Sequence, residues 1–355
     1  MELNKLTIEA IALLKKLIET PSFSSEEDKT ALLIENWFKD HQIPFQRDRN
    51  NIWAVNKYFD KSKPTLLLNS HHDTVKPNSA YTKNPFEAIV ENGKLYGLGS
   101  NDAGGCLVSL MATFTYFFHQ ENLKYNLVMV ASAEEESSGE FGLNSMLSII
   151  PKIDVAIVGE PTLMNLAIAE KGLVVFDAVV EGIASHAAHP NNDNPIYKMI
   201  DVLRWFRDFT FDKTSETLGD VKMTVTQINA GKQHNVVPAH VDLVIDVRVN
   251  DSYSNQEIAQ ILQENAPCSK IIPRSLRLNS SSISSEHELV KAGISIGRKT
   301  YGSPTLSDQS VLSCQSLKLG PGDSTRSHSA DEFIYIAEIE EGIAIYVELL
   351  NRVIV

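Results

Sequence analysis

Cysteine is scarce in this chain: Cys106, Cys268 and Cys314 stand far apart, and none belongs to a Cys-x-x-Cys pair. That spacing excludes both a disulfide framework and a thiolate zinc site. Long apolar runs are missing as well, and no stretch approaches the ~18 residues of a membrane-crossing helix. The N-terminal segment MELNKLTIEAIALLKKLIET interleaves charged and apolar residues at helical spacing. It lacks the unbroken apolar core of a secretory signal, so a reducing cytoplasm is the expected location. Positive charge is also short, with 32 lysines and arginines against 45 aspartates and glutamates and a net charge of −13. A chain of that sign is a poor match for nucleic acid or an anionic membrane surface. There is no internal repeat and no low-complexity tract.

What is present suits a globular protein of more than one domain. At 355 residues the chain exceeds the length at which single cores stop growing, roughly 250–300 residues. Short β-rich runs alternate with helical patterns, which predicts an α/β sheet with helices on its faces. PTLLLNS (Pro64–Ser70), YNLVMVASA (Tyr125–Ala133) and DVAIVG (Asp154–Gly159) read as buried strands, and Ala103–Phe118 as a helix. Beyond about residue 165 the character changes. Gly172–Glu181, Met223–Ala230 and Val241–Val249 read as strands separated by helices near 195–209 and 254–265. That order predicts a smaller α+β domain with an antiparallel sheet and two helices. A Ser-rich linker, Asn279–Ser285, precedes elements that resume the first domain and end in a helix over Ile336–Val353. The expected division is 1–165 with 278–355, interrupted by an inserted domain at 166–277.

Polar clusters follow the predicted strands, where open α/β sheets place their ligands. In NSHHDTVKP, His71 and Asp73 lie two apart at a strand end and can project to the same side. His71 would then bind metal while Asp73 holds its other ring nitrogen. In YGLGSNDAGG, four glycines surround one carboxylate, Asp102. No Lys-Ser/Thr follows and the spacing is not GxGxxG, which argues against a phosphate loop. Glu134, Glu135 and Glu136 repel one another unless a cation or proton compensates. Such a run divides naturally into a metal ligand and a free general base. Glu160 in IVGEPT, His328 in STRSHSADEF and His186 in EGIASHAAHP complete the set. Each cluster alone also fits a solvated turn, and His41, His119, His287, His234 and His240 are read as structural or surface histidines.

Taken in order, HHDTV, GLGSNDAGG, ASAEEE, VGEPT, EGIASHAAHP and RSHSADEF resemble the M20 family of metallopeptidases and deacylases across nearly the whole chain. The nearest branch is that of acetylornithine deacetylase and succinyl-diaminopimelate desuccinylase. The resemblance implies a mixed-sheet zinc-hydrolase catalytic domain and an inserted lid or dimerisation domain. It implies two Zn2+ ions, with Co2+ or Mn2+ as substitutes. Asp102 would bridge them, with His71 and Glu160 on one ion and Glu136 and His328 on the other. Asp73 would support His71, and Glu135 would be the general base. The family carries Asp-Glu-Glu where this chain has three glutamates, so Glu134 is the competing frame for the base. The resemblance further implies a cis peptide after Asp102 and a His186 that reaches the site of a partner subunit in a homodimer. Asn235 in GKQHNVVP and Arg248 in IDVRV would bind substrate, and Asp308 and Arg326 could read its side chain. Lys171-Gly172 matches the family at the domain crossover.

The expected activity is hydrolysis of a small-molecule N-acyl amino acid, acetylated or succinylated, of the ornithine, citrulline, lysine or diaminopimelate class in arginine or lysine biosynthesis. A dipeptidase or aminotripeptidase of the same family is the near rival. A non-catalytic binding module is the distant one, because every expected position is filled.

Overall fold

The computed structural model describes residues 2–355 and divides them into two compact units. The first runs from residue 2 to Ile168 and takes up Ser282–Tyr301 and Ser307–Val355. The second is Ala169–Ser281 together with Gly302–Leu306. The chain thus returns to the first unit at Ser282 rather than at residue 278, and dips back into the second once more.

The first unit is a mixed sheet between helical layers. Thr65–His71 runs parallel to Asn126–Ser132 on one side and to Val155–Val158 on the other, and Gln315–Lys318 runs parallel to Val155–Val158. Phe45–Asp48 and Asn51–Val55 form a hairpin added antiparallel at the Asn126–Ser132 side. The three central strands Thr65–His71, Asn126–Ser132 and Val155–Val158 are buried at every position. That explains their continuous apolar lettering, because both faces are covered.

One face is covered by the helix Gly105–Phe117, nearly all of it buried, with Leu3–Ile18 and Ile336–Val353 packed against it. Leu6, Ala10, Leu13, Leu14 and Leu17 bring the first helix onto that layer at i, i+4, i+7 spacing. The expected Ile336–Val353 helix is observed with those bounds. Glu338 accepts the Tyr335 N–H at 3.0 Å and so satisfies one of the donors left free at its start.

The second unit is a four-stranded antiparallel sheet in the order Lys222–Ala230, His240–Val249, Gly172–Glu181, Lys270–Pro273. The helices Pro195–Asp208 and Asn255–Asn265 share its core, in which Val174, Phe176, Val202, Phe206, Ile245 and Ile258 are buried. Asn255–Asn265 begins with a reciprocal cap: Ser254 Oγ accepts the Glu257 N–H, and Glu257 accepts the Ser254 N–H. The fold is therefore mixed α/β with a large mixed sheet.

Candidate metal centre

Parallel pairing brings the carboxyl ends of Thr65–His71, Asn126–Ser132, Val155–Val158 and Gln315–Lys318 to one edge of the first unit. His71 is the last residue of its strand, and the Glu134–Glu136 run, Glu160 and the loop leading to His328 follow the other ends. Sequence positions that are far apart are thereby gathered at one place.

Asp102 comes from a different element, the bend before Gly105–Phe117. Gly99 turns the chain with φ +75°, and the Asp102–Ala103 peptide is cis, as the family resemblance implied. A Cβ at Gly104 would stand 2.4 Å from the Gly99 carbonyl oxygen and 2.6 Å from Leu14. The glycines close this bend against the helical layer.

His71 is almost wholly buried. Its Nδ1 lies 3.0 Å from the Asp73 carbonyl oxygen and 3.3 Å from Asp73 Oδ1. A carbonyl only accepts, so the proton sits on Nδ1 and Nε2 is left to bind metal in the neutral ring. Nε2 faces Asp102 Oδ1 at 3.4 Å, Glu160 Oε1 at 3.8 Å and Glu135 Oε2 at 3.9 Å. On the other side of Asp102, Oδ2 lies 3.7 Å from His328 Nε2, which is 3.0 Å from Glu136 Oε2. Ligand atoms of His71, Asp102 and Glu136 all lie within 4.8 Å of one another. The Asp73 carboxylate also accepts the N–H groups of Glu135 and Glu136, each at 3.1 Å, and the Ser24 hydroxyl at 2.7 Å.

The electrostatics are those of acids crowded together. Burial opposes the His71 imidazolium, yet hydrogen bonds to Asp102 and Asp73 carry its pKa well above the ordinary value. Burial likewise opposes ionisation of Asp102, but His71 holds it below the usual range. Burial, then the neighbouring acids, push Glu135 well up and Glu160 to about 8. The bond to Glu136 raises His328 to about 9. Carboxylates gathered around two imidazoles need cations to ionise together. Nitrogen and oxygen donors without thiolate suit a catalytic zinc-class ion, so the residues present fit the implied group.

The three glutamates separate in space. Glu134 has φ +57°, and its carboxylate accepts from Ser25 Oγ at 3.0 Å and the Phe141 N–H at 3.2 Å. It faces its own loop, whereas Glu135 faces His71.

The second unit carries the remaining candidates. His186 pairs with Val236 on a two-stranded ribbon, and the Ala187 N–H donates to the Asn235 carbonyl at 2.9 Å. The fold thus brings His186 and Asn235 together. His186 Nδ1 accepts the Ala188 N–H at 3.1 Å, which leaves an Nε2–H on an exposed ring. Arg248 is held by Asp246 through contacts of 2.9 and 3.1 Å, and Lys171 Nζ donates to the Asp220 carbonyl at 2.7 Å.

Two side chains expected to read substrate are engaged elsewhere. Arg326 forks onto Glu338 at 2.7 and 3.0 Å beneath Phe333 and Tyr335. Asp308 is buried, accepts the Ser132 hydroxyl at 2.6 Å, and is raised to about 6 by burial. Sequence reasoning missed two buried acids behind the site. Glu27 accepts the N–H groups of Ser25 at 2.7 Å and Glu134 at 3.2 Å. Glu332 accepts the backbone of the Asp102 bend. Neither carried a sequence signal, since an acid in a polar loop is ordinary.

Acids and imidazoles gathered at the carboxyl edge of an α/β sheet define a metal-dependent hydrolase. The chain matches peptidase family M20/M25/M40 over residues 67–352 and belongs to that family of hydrolases acting on amide bonds. It is 28% identical over 272 residues to a succinyl-diaminopimelate desuccinylase of Rickettsia felis, covering 71% of each chain. To that of Rickettsia bellii it is 25% identical over 374 residues, covering 95% of each. The fold resembles an M20 family metallo-carboxypeptidase from Sulfolobus solfataricus, with TM-score 0.75, 18% identity and coverage of 97% and 99%. It also resembles a dinuclear metal-binding M20 peptidase from Bacillus subtilis, with TM-score 0.76, 14% identity and 98% of each chain covered. Among the described residues no helix is long and apolar enough to cross a membrane.

Proposed function

We propose that this protein is a two-zinc deacylase that removes an acyl group, acetyl or succinyl, from the nitrogen of a small amino acid. The observation that carries the reading is the double set around Asp102: His71 and Glu160 on one side, Glu136 and His328 on the other, with Glu135 alongside. Succinyl-diaminopimelate desuccinylases among the relatives favour an acyl group and a side chain that both carry charge, and hence lysine rather than arginine biosynthesis.

Two divalent ions held by these five side chains would polarise the scissile carbonyl and make water acidic. Asp73 fixes His71 in the tautomer that leaves Nε2 free and holds the Glu135–Glu136 backbone. Glu135 takes the proton of the attacking water and passes it to the departing amine. Burial raises its proton affinity, which suits a base that must also act as an acid. His186, from the second unit of a partner subunit in a homodimer, donates its Nε2–H to the oxyanion. Asn235 and Arg248 bind the substrate's carboxylate, with Asp246 holding the Arg248 fork until substrate competes for it.

The test is turnover of zinc-loaded protein on N-acetyl and N-succinyl ornithine, citrulline, lysine and diaminopimelate, beside a set of dipeptides. Preference for one N-acyl amino acid is expected. Turnover of dipeptides alone would move the chain to the peptidase side of the family. A monomer at assay concentrations in sedimentation would remove His186 from the mechanism.

A further inference from the structure

Glu332 is a carboxylate with 2% exposure, and nothing in the chemistry outlined above uses it. Its two oxygens accept from three donors of the bend: the N–H groups of Gly99 at 3.1 Å, Asn101 at 2.8 Å and Asp102 at 2.9 Å. Its own carbonyl accepts the Gly97 N–H at 3.0 Å. The acid therefore grips the bend that presents Asp102, from Gly97 to Asp102, on four amides. A buried carboxylate is costly unless it is well bonded, and a packing role alone would be filled by an apolar side chain.

The segment that carries Glu332 also carries His328. That segment is fixed in its turn: Asn78 Nδ2 donates to the His328 carbonyl at 3.2 Å, and Asp331 accepts the N–H groups of Thr82 and Lys83, each at 2.8 Å. One side chain thus ties the loop of one candidate ligand to the loop of another, and Asp102 Oδ2 stands 3.7 Å from His328 Nε2 across the tie.

We propose that Glu332 is a positioning residue of the metal centre: by clamping the Gly97–Asp102 backbone to the His328 segment, it sets the spacing at which Asp102 and His328 serve the same cation. The proposal rests on the metal-centre reading above and deepens it. Its effect falls on metal affinity first and on turnover only through that.

The experiment measures zinc affinity by competition with a chromophoric chelator, and zinc per folded chain after desalting. It compares wild type with Glu332→Gln, Glu332→Asp and, as a control, Glu338→Gln. Glu338→Gln disturbs the Arg326 pair on the same segment without touching the Asp102 bend. Glu332→Gln places an amide NH2 among backbone donors and is expected to weaken zinc binding about 10–100-fold, the range for groups that orient metal ligands. Glu332→Asp, with its acceptor drawn back by one methylene, is expected to weaken it less, and Glu338→Gln not at all. Melting of the metal-free proteins, recorded alongside, separates a global loss of stability from a loss of affinity in folded protein. Wild-type affinity in Glu332→Gln, or in Glu332→Asp if the glutamine variant does not fold, overturns the proposal alone. Equal loss in Glu338→Gln also overturns it. A wild type that binds no divalent ion overturns the metal-centre reading and this proposal together.

Discussion

Zinc binding to the metal-free protein should expel protons, and the structure sets how many. Metal ligands must be deprotonated, so every proton the empty cluster retains has to leave. His328, raised to about 9 chiefly by its bond to Glu136, is about 99% protonated at pH 7. Glu160, pushed to about 8 by burial, is about 90% protonated at the same pH. His71 also stays protonated there, held by Asp102 and Asp73 against the cost of its burial. Filling the sites should therefore release about three protons per chain at pH 7, and log K for zinc should climb by about three per pH unit. From about pH 8 upward both numbers should fall, as Glu160 and then His328 lose their protons unaided. Calorimetric titration in buffers of different ionisation heat, at matched pH, counts the protons from the slope of apparent enthalpy. Fewer than one proton at pH 7, or a count that does not change between pH 6.5 and 9.5, would refute this electrostatic picture of the cluster.

The same groups predict how stability responds to pH. Glu160 and His328 both have folded-state pKa values above their ordinary 4.5 and 6.5, so each contributes stability at low pH that is lost as pH rises through about 8 and about 9. Melting temperature of chelator-stripped protein should accordingly fall from pH 6 to 9, a fall that bound metal abolishes; a flat or rising profile without metal would contradict it. Glu135→Gln should retain zinc and lose about 10²–10⁴ in turnover, which metal analysis and steady-state rates can check together. Glu134→Gln, which alters a carboxylate facing Ser25 and Phe141, should change turnover far less. Gly104→Ala places a methyl 2.4 Å from the Gly99 oxygen and should cost about 1–3 kcal/mol in denaturant unfolding.

The strands and most helices were readable because burial on both faces leaves an unmistakable apolar run, as in Thr65–His71 and Asn126–Ser132. Period-2 alternation similarly exposed Val241–Val249, whose neighbours face the second unit's core at every other position. The metal candidates were readable because strand ends concentrate functional side chains, and because six short motifs occurred in one order. The supporting acids were not. Glu27 and Glu332 act through backbone N–H groups, which every residue offers, so no residue-type pairing betrays them. The pairing of Arg326 was hidden for a related reason. A lone arginine beside a candidate ligand looks available for substrate, whereas its partner Glu338 sits twelve positions on, across a strand and the start of a helix. The separation of Glu134 from Glu135 likewise depends on a positive φ that three identical letters cannot reveal.

The insertion of one unit within the other also dictates a timetable. Gln315–Lys318 slots beside Val155–Val158 in the interior of the main sheet, yet it is translated after the whole of Ala169–Ser281. During synthesis the nascent first unit therefore keeps one edge of the apolar strand Val155–Val158 open beside its pairing with Thr65–His71, a template for wrong partners until the late strand arrives. The second unit, made nearly whole in the middle of the message, can fold while the first is still waiting. His328 emerges later still, after Asp102, Glu136 and Glu160 have all been made, so the second imidazole joins acids already in place. Completion of the candidate centre in that sense waits on this late segment, and a chain stalled before His328 would carry the acids without the second imidazole to compensate them.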